Sequence, residues 1–324
     1  MMRITVIGAG RWGSFITWYL DRIGHKVALY GKKDSPHMIE FLATRKNNIV
    51  TLPESVELST DINSTREADV IILSVFSQGL RALMSELAEL DLKNKIFVLC
   101  MKGIEIESGK RLSEIVAENT DSSNKIAVWL GPGHVQEFVA ERPNCMVIDS
   151  DDKETKKLLV TEFSGDLIRF YFGEDLIGNE IGAAAKNVIG IAAGILDGLG
   201  MSTLKGALMA RGAREVSRLI VALGGKEQSA YGLCHLGDYE ATVFSKHSHN
   251  RAFGEAFVLG KTFESGLAEG FYTAKAIHLL CEKHGVDMPI CEAIYKVLYE
   301  NADLDTTFNS LFERPLKKEF YKTV

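Results

Sequence analysis

The sequence predicts an α/β fold: a doubly wound sheet over residues 1–177, followed by an all-helical domain over residues 178–324. Three observations predict it. Short β-branched runs alternate with helical periodicity through the first half of the chain, strand signals then stop, and a small-residue-rich apolar helix opens the remainder. With 324 residues, 46% of them hydrophobic, the chain has the material for two cores.

Residues 3–7 form an apolar run that enters Gly8-Ala9-Gly10-Arg11-Trp12-Gly13, and a helical pattern follows through Phe15, Ile16, Tyr19 and Leu20 to Gly24. A second strand over 26–30 completes the opening of a βαβ unit. Placed between strand and helix, each glycine of G-x-G-x-x-G has a mechanical task. Gly8 makes the tight turn, Gly10 lets a pyrophosphate approach the backbone, and Gly13 lets the helix pack on the strand. The phosphates then lie against N–H groups at the helix N-terminus, with Arg11 available as an added charge. A nicotinamide dinucleotide is therefore expected. The second strand ends in Tyr30-Gly31-Lys32-Lys33, and the first acid is delayed to Asp34. Two cations suit a 2′-phosphate, so NADP(H) is favoured and NAD(H) stays possible.

Further strands are expected at 69–75, 95–100, 125–130, 145–148 and 167–172, with helices near 78–90, 109–119 and 153–162. Ligands of such sheets lie outside the carboxyl ends of the strands. Two strand ends stand out there: Met101-Lys102-Gly103, a lysine beside a glycine, and Gly131-Pro132-Gly133-His134, a turn rich in backbone N–H groups.

The second domain opens with the helix from Gly178 to Gly198, followed by helical segments near 203–223, 254–264, 270–284 and 289–299. Gly178, Gly182, Gly190, Gly194 and Gly198 recur in steps of four or eight, and Lys186 stands where another glycine would fall. Residues four apart share a helix face, so this face is bare except for one ammonium group. Each glycine costs about 1 kcal/mol against alanine in a helix interior, so close packing or ligand access has to offset it. Lys186 then either reaches water or meets a ligand, and apolar neighbours are expected to lower its pKa towards neutrality. Farther on lies a dense polar cluster, Gly237-Asp238-Tyr239 and Ser245 to Gly254, with Cys234 and His235 just upstream. The His247-Ser248-His249 spacing lacks the further ligands that a metal centre needs, so no metal is expected and an anion site of cations and hydroxyls fits better.

The 37 lysines and arginines against 43 acids give a net charge of -6 without a long basic run, which disfavours nucleic acid and membrane surfaces as partners. Five scattered cysteines with no C-x-x-C pair fit a reducing, cytoplasmic setting. No secretory leader is read at the start, and the apolar stretch 188–196 is too short to span a bilayer.

Through Gly8-Ala9-Gly10-x-x-Gly13, Met101-Lys102-Gly103-Ile104-Glu105, Lys186-Asn187-Val188-Ile189, Gly237-Asp238, Asn250-Arg251-x-Phe253-Gly254 and Glu269-Gly270, the chain resembles the NAD(P)-dependent sn-glycerol-3-phosphate dehydrogenase family over nearly its whole length. The resemblance implies a Rossmann-type first domain, a second domain like the C-terminal one of 6-phosphogluconate dehydrogenase, and a cytoplasmic homodimer. It also implies reversible reduction of dihydroxyacetone phosphate to sn-glycerol 3-phosphate for phospholipid synthesis, with substrate held between the domains. Carried over by position, Lys186 is the catalytic lysine and Lys102 contacts both cofactor and substrate. Substrate contacts fall on Gly131, Asp238, Ser248 and Asn250, and cofactor contacts on Arg11, Trp12, Lys32, Val135, Leu267 and Glu269. Two places depart from the family pattern. Gly133 and His134 stand where threonine or serine and then phenylalanine are usual, and His249 replaces the arginine of a Ser-Arg-Asn triplet that serves phosphate and cofactor. A permanently charged fork thus becomes an imidazole, with Arg251 or Lys246 nearby as replacement cations. Two other readings stay open: a paralogous reductase of another small phosphorylated or acidic ketone, and a nicotinamide-binding sensor.

Overall fold

The computed structural model describes residues 1–263, 266, 268–316, 318 and 319. The chain divides into two compact units, Met1–Lys102 with Lys110–Leu176, and Gly103–Gly109 with Ile177–Val324.

In the first unit the order is β1 (Arg3–Ile7), α1 (Arg11–Arg22), β2 (Lys26–Tyr30), α2 (Pro36–Thr44), β3 (Glu57–Ser59), β4 (Val70–Leu73), α3 (Leu80–Ala88), β5 (Ile96–Leu99), α4 (Leu112–Glu118), β6 (Lys125–Leu130), α5 (Val135–Val139), β7 (Asn144–Asp149), α6 (Lys153–Phe163) and β8 (Ile168–Phe172). These strands form one sheet in the order β3-β2-β1-β4-β5-β6-β7-β8. All neighbours run parallel except β6 and β7, where Val128 faces Asp149 in an antiparallel pair. The sequence marks β7 as a strand but carries no mark of its direction. Every residue of β4 is buried, as expected of a parallel strand covered on both faces. Around the sheet, Phe15, Tyr19, Trp129, Phe163 and Phe170 form an aromatic core, and the Tyr19 hydroxyl donates to Phe163 O at 2.7 Å.

In the second unit α7 (Leu176–Gly198) is followed by α8 (Lys205–Ala222), α9 (His249–Val258), α10 (Glu269–His284), α11 (Pro289–Tyr299) and α12 (Leu304–Phe312). Helix α9 starts earlier than the periodicity of 254–264 indicates, because the Ser248 hydroxyl accepts from Arg251 N and caps it. By length and composition α7 is able to cross a membrane, unlike its central stretch 188–196, but 89% of its most apolar window is buried in the protein. Its glycines are where neighbours come close. A methyl group on Gly194 would lie 1.9 Å from Arg251 O, and one on Gly254 would lie 2.2 Å from Ile191 O. Helices α7 and α9 therefore cross backbone to backbone.

Candidate active site

In the first unit the glycine turn is closely packed at Gly8 and Gly13 and open at Gly10. Gly8 has φ of +116°, and a side chain there would meet Ser74 O at 2.2 Å, while one on Gly13 would meet Gly8 O at 1.9 Å. Gly10 faces open space, with nothing within 4 Å of where a Cβ would stand. No side chain caps α1 at Gly10. An open glycine at an uncapped N-terminus of a 12-residue helix fits the pyrophosphate of a dinucleotide. Beside it Trp12 packs on Phe15 and Phe138, whose rings stack at 5.1 Å. At the end of β2, Lys32 and Lys33 are exposed, and Lys32 Nζ donates to Glu86 Oε1 at 2.9 Å. Glu86 is the acid at this edge that the sequence pattern does not reveal. At the ends of β5 and β6, Lys102 Nζ donates to Gly131 O at 2.9 Å, which joins the two strand ends singled out above.

In the second unit Lys186 is 7% exposed on α7. Its Nζ donates to Thr242 Oγ1 at 2.7 Å and pairs with Asp238 Oδ2 at 2.8 Å. Thr242 in turn donates to Asp238 O at 2.8 Å. Asp238 closes a short 3-10 turn, Leu236–Asp238, and Thr242 lies in a π-helical turn, Glu240–Phe244. Such turns deform a helix locally and are common at functional sites. Beside the apolar neighbours expected of Lys186, a carboxylate and a hydroxyl hold its ammonium. Burying two charges is expensive, and the pair survives through its short geometry and the added hydroxyl. Next to it Asn187 Oδ1 accepts from Asn250 Nδ2 at 3.0 Å, and Gly270 N donates to Asn250 Oδ1 at 2.8 Å. One amide therefore ties α7, α9 and α10 together. Thr242 was not among the residues singled out by sequence, although its place four residues after Asp238 puts it one turn away.

Residues 3–156 match the family model for the NAD-dependent glycerol-3-phosphate dehydrogenase N-terminus, and residues 175–309 match that for its C-terminus. The chain belongs to the NAD-dependent glycerol-3-phosphate dehydrogenase family. Glycerol-3-phosphate dehydrogenase, NAD(P)+, from Prosthecochloris aestuarii is 37% identical over 333 residues, covering 98% of this chain and 100% of that protein. The enzyme of the same name from Thermoanaerobacter sp. is 34% identical over 331 residues, covering 99% of both. The crystal structure of glycerol-3-phosphate dehydrogenase from Coxiella burnetii superposes with a TM-score of 0.90 at 29% identity, over 97% of this chain and 99% of that one. D-mandelate dehydrogenase with NADH, with a TM-score of 0.64 at 18% identity over 94% of this chain and 100% of that one, shares the fold.

In this member of the glycerol-3-phosphate dehydrogenase family the two departures have structural contexts. Gly133 has φ of +151°, and a side chain there would meet the Phe138 ring at 2.5 Å, so this turn is built for glycine. His134 is the residue before α5, and Val135, its first residue, is buried. His249 opens α9, and its ring stands T-shaped to that of Phe263, with centroids 6.4 Å apart. Arg251 is committed elsewhere. Its guanidinium pairs with Asp197 and Glu255 and donates to Ser245 O at 3.2 Å, while Asp197 also takes Lys205 at 2.6 Å. Arg251 is therefore not a spare replacement for the missing arginine, whereas Lys246 is exposed. Glu269 is half-buried at the start of α10, and Leu267 lies outside the described residues.

Proposed function

We propose that this chain interconverts dihydroxyacetone phosphate and sn-glycerol 3-phosphate with NADP(H) or NAD(H), residues 1–177 serving the cofactor and residues 178–324 the substrate. The observation that carries this reading is the buried Lys186 ammonium, held by Asp238 and Thr242 on a helix face bared by glycines. A bound reduced nicotinamide would supply the hydride for the ketone carbon. As charge grows on the ketone oxygen, the Lys186 ammonium stabilises it and donates the proton that completes the alcohol. Asp238 compensates the ammonium before the transfer, and Thr242 fixes its direction. Lys102 takes the role of a cofactor and substrate contact beside Gly131 and Gly133. Ser248, His249 and Asn250, at the N-terminus of the ten-residue α9, receive the phosphate, where helix amides favour an anion.

In the first unit Gly8, Gly10 and Gly13, with Arg11, Trp12 and Val135, would hold the dinucleotide, and for His249, Leu267 and Glu269 a cofactor role rests on the family resemblance alone. Lys32 and Lys33 favour NADP(H), although a 2′-phosphate has to compete with Glu86 for Lys32. A cytoplasmic homodimer supplying glycerol 3-phosphate for phospholipid synthesis completes the reading. His249, together with the commitment of Arg251 to Asp197, favours one second reading, a paralogous reductase of another small phosphorylated or acidic ketone.

Steady-state oxidation of NADPH and NADH tests both over a panel of dihydroxyacetone phosphate, dihydroxyacetone and related ketoacids. Equal rates with and without the phosphate would overturn the substrate assignment. Lys186→Met is expected to lower kcat by about a thousandfold or more while NADPH titration by fluorescence stays unchanged.

A further inference from the structure

His235 has no exposed surface, and both of its ring nitrogens are engaged. Nδ1 lies 2.8 Å from Gly182 O, and Nε2 lies 2.7 Å from the Tyr239 hydroxyl. A carbonyl only accepts, so the proton sits on Nδ1, and the bare Nε2 accepts from the Tyr239 O–H. Burial lowers the His235 pKa to about 4, which keeps the ring neutral at pH 7 and the arrangement fixed.

Gly182 is one helical turn before Lys186. In α7 its carbonyl is the acceptor for the Lys186 backbone N–H, so the imidazole bonds the same oxygen that anchors the lysine's own peptide. The approach depends on glycine, since a methyl group on Gly182 would lie 2.9 Å from His235 Cβ. The other half of the contact serves Asp238. The His235 carbonyl accepts from Asp238 N at 3.0 Å, and the Tyr239 carbonyl accepts from Thr242 N at 3.0 Å. The side chain of one residue thus holds the turn of α7 that carries Lys186, and its backbone holds the segment that carries Asp238 and, through Tyr239, Thr242.

We propose that His235, locked as the Nδ1–H tautomer between Gly182 O and the Tyr239 hydroxyl, is a positioning residue that sets the register of Lys186 against Asp238 and Thr242. It touches neither ketone nor cofactor. The inference rests on the reading of Lys186 as the proton donor, and it adds a reason for Gly182 beyond helix packing.

The test compares His235→Ala, His235→Asn and Tyr239→Phe with the unmodified chain, using dihydroxyacetone phosphate and NADPH. A proton donor displaced by a fraction of an ångström loses kcat while substrate affinity stays, so His235→Ala is expected to lower kcat roughly 10- to 100-fold with KM within about threefold. The carboxamide introduced by His235→Asn has only to donate to Gly182 O, without reaching Tyr239, and this variant is expected to restore kcat to within about fivefold of the starting level. Tyr239→Phe, which leaves the tautomer but loosens the ring, is expected to fall between. A purely structural role predicts lower melting temperatures with unchanged kcat in the surviving fraction, and that result overturns the proposal. So does His235→Asn that is folded but no better than His235→Ala. If His235→Ala does not fold, Tyr239→Phe decides, since a folded variant with undiminished kcat overturns the proposal. Lys186→Met is measured alongside. If it keeps its turnover the proton-donor reading fails and the positioning role falls with it, whereas a dead Lys186→Met beside fully active His235 variants removes the positioning role alone.

Discussion

Asp238 is the residue on which the Lys186 ammonium depends, because both groups are nearly excluded from water. Asp238→Asn leaves a buried ammonium without its counter-charge, and breaking such a pair costs about 3–5 kcal/mol. Urea unfolding is expected to report that loss, together with a kcat lowered at least a hundredfold or so. Thr242→Val removes the hydroxyl that accepts from Lys186 and donates to Asp238 O, and is expected to cost less, about 1–3 kcal/mol, by the same measurement. At the cofactor edge Glu86→Gln frees Lys32. Since an exposed ion pair is worth at most about 1 kcal/mol, the ratio of kcat/KM for NADPH over NADH is expected to rise by no more than about fivefold. A fall in that ratio would show that Lys32 does not meet the 2′-phosphate. Lys186 was legible in the sequence because it interrupts a glycine period. Thr242 and His235 were not legible in their roles, because their partners lie 56 and 53 positions away and only folding brings them together.

Among the helices, α11 shows how a terminus is satisfied from outside. Met288 gives it no side-chain cap, and Glu215 of α8 instead accepts from Ile290 N at 3.0 Å and Cys291 N at 3.3 Å. Burial raises the Glu215 pKa to about 7, outweighing the two amide bonds that favour the carboxylate. Between about pH 4.5 and 7 the unfolded chain releases this proton while the folded chain keeps it, so stability falls as pH rises through that window, by up to about 3 kcal/mol. Calorimetric melting across the window is expected to show the decline, and Glu215→Gln is expected to flatten that contribution. The α7–α9 crossing makes a second contrast. Gly194→Ala forces a methyl group into the α9 backbone and is expected to destabilise by about 3 kcal/mol or more, whereas Gly206→Ala, in α8 with open space around it, is expected to stabilise by about 0.5 kcal/mol. Chemical denaturation separates the two. The long elements were legible because their periods and glycines are local. Four elements, α2, β3, α5 and α12, were not, and α9 was misplaced because the stretch before Gly254 looks like a polar loop until Ser248 is seen capping it.

For the molecule as a whole, the described residues form two hydrophobic cores, one around Trp129 and Phe163, the other around Ile189 and Ile277 with Ile104 added from the earlier part of the chain. Heating is expected to expose two events in calorimetry. NADPH at a hundred times its Kd is expected to stabilise the event of the cofactor-binding unit by about 2.7 kcal/mol, and a single transition moved as a whole would contradict this. The division into a sheet part and a helical part was legible from where strand signals stop, although the sequence did not reveal that residues 103–109 group with the helical part. The glycine-bared α7 also has a consequence in time. Its five glycines cost a lone helix roughly 5 kcal/mol, so it gains little before α9 and the Asp238 segment are packed against it. Lys186 then acquires its partners only as the second unit completes its folding. During refolding from denaturant, catalytic activity is expected to return with the last phase of the recovery and never ahead of it.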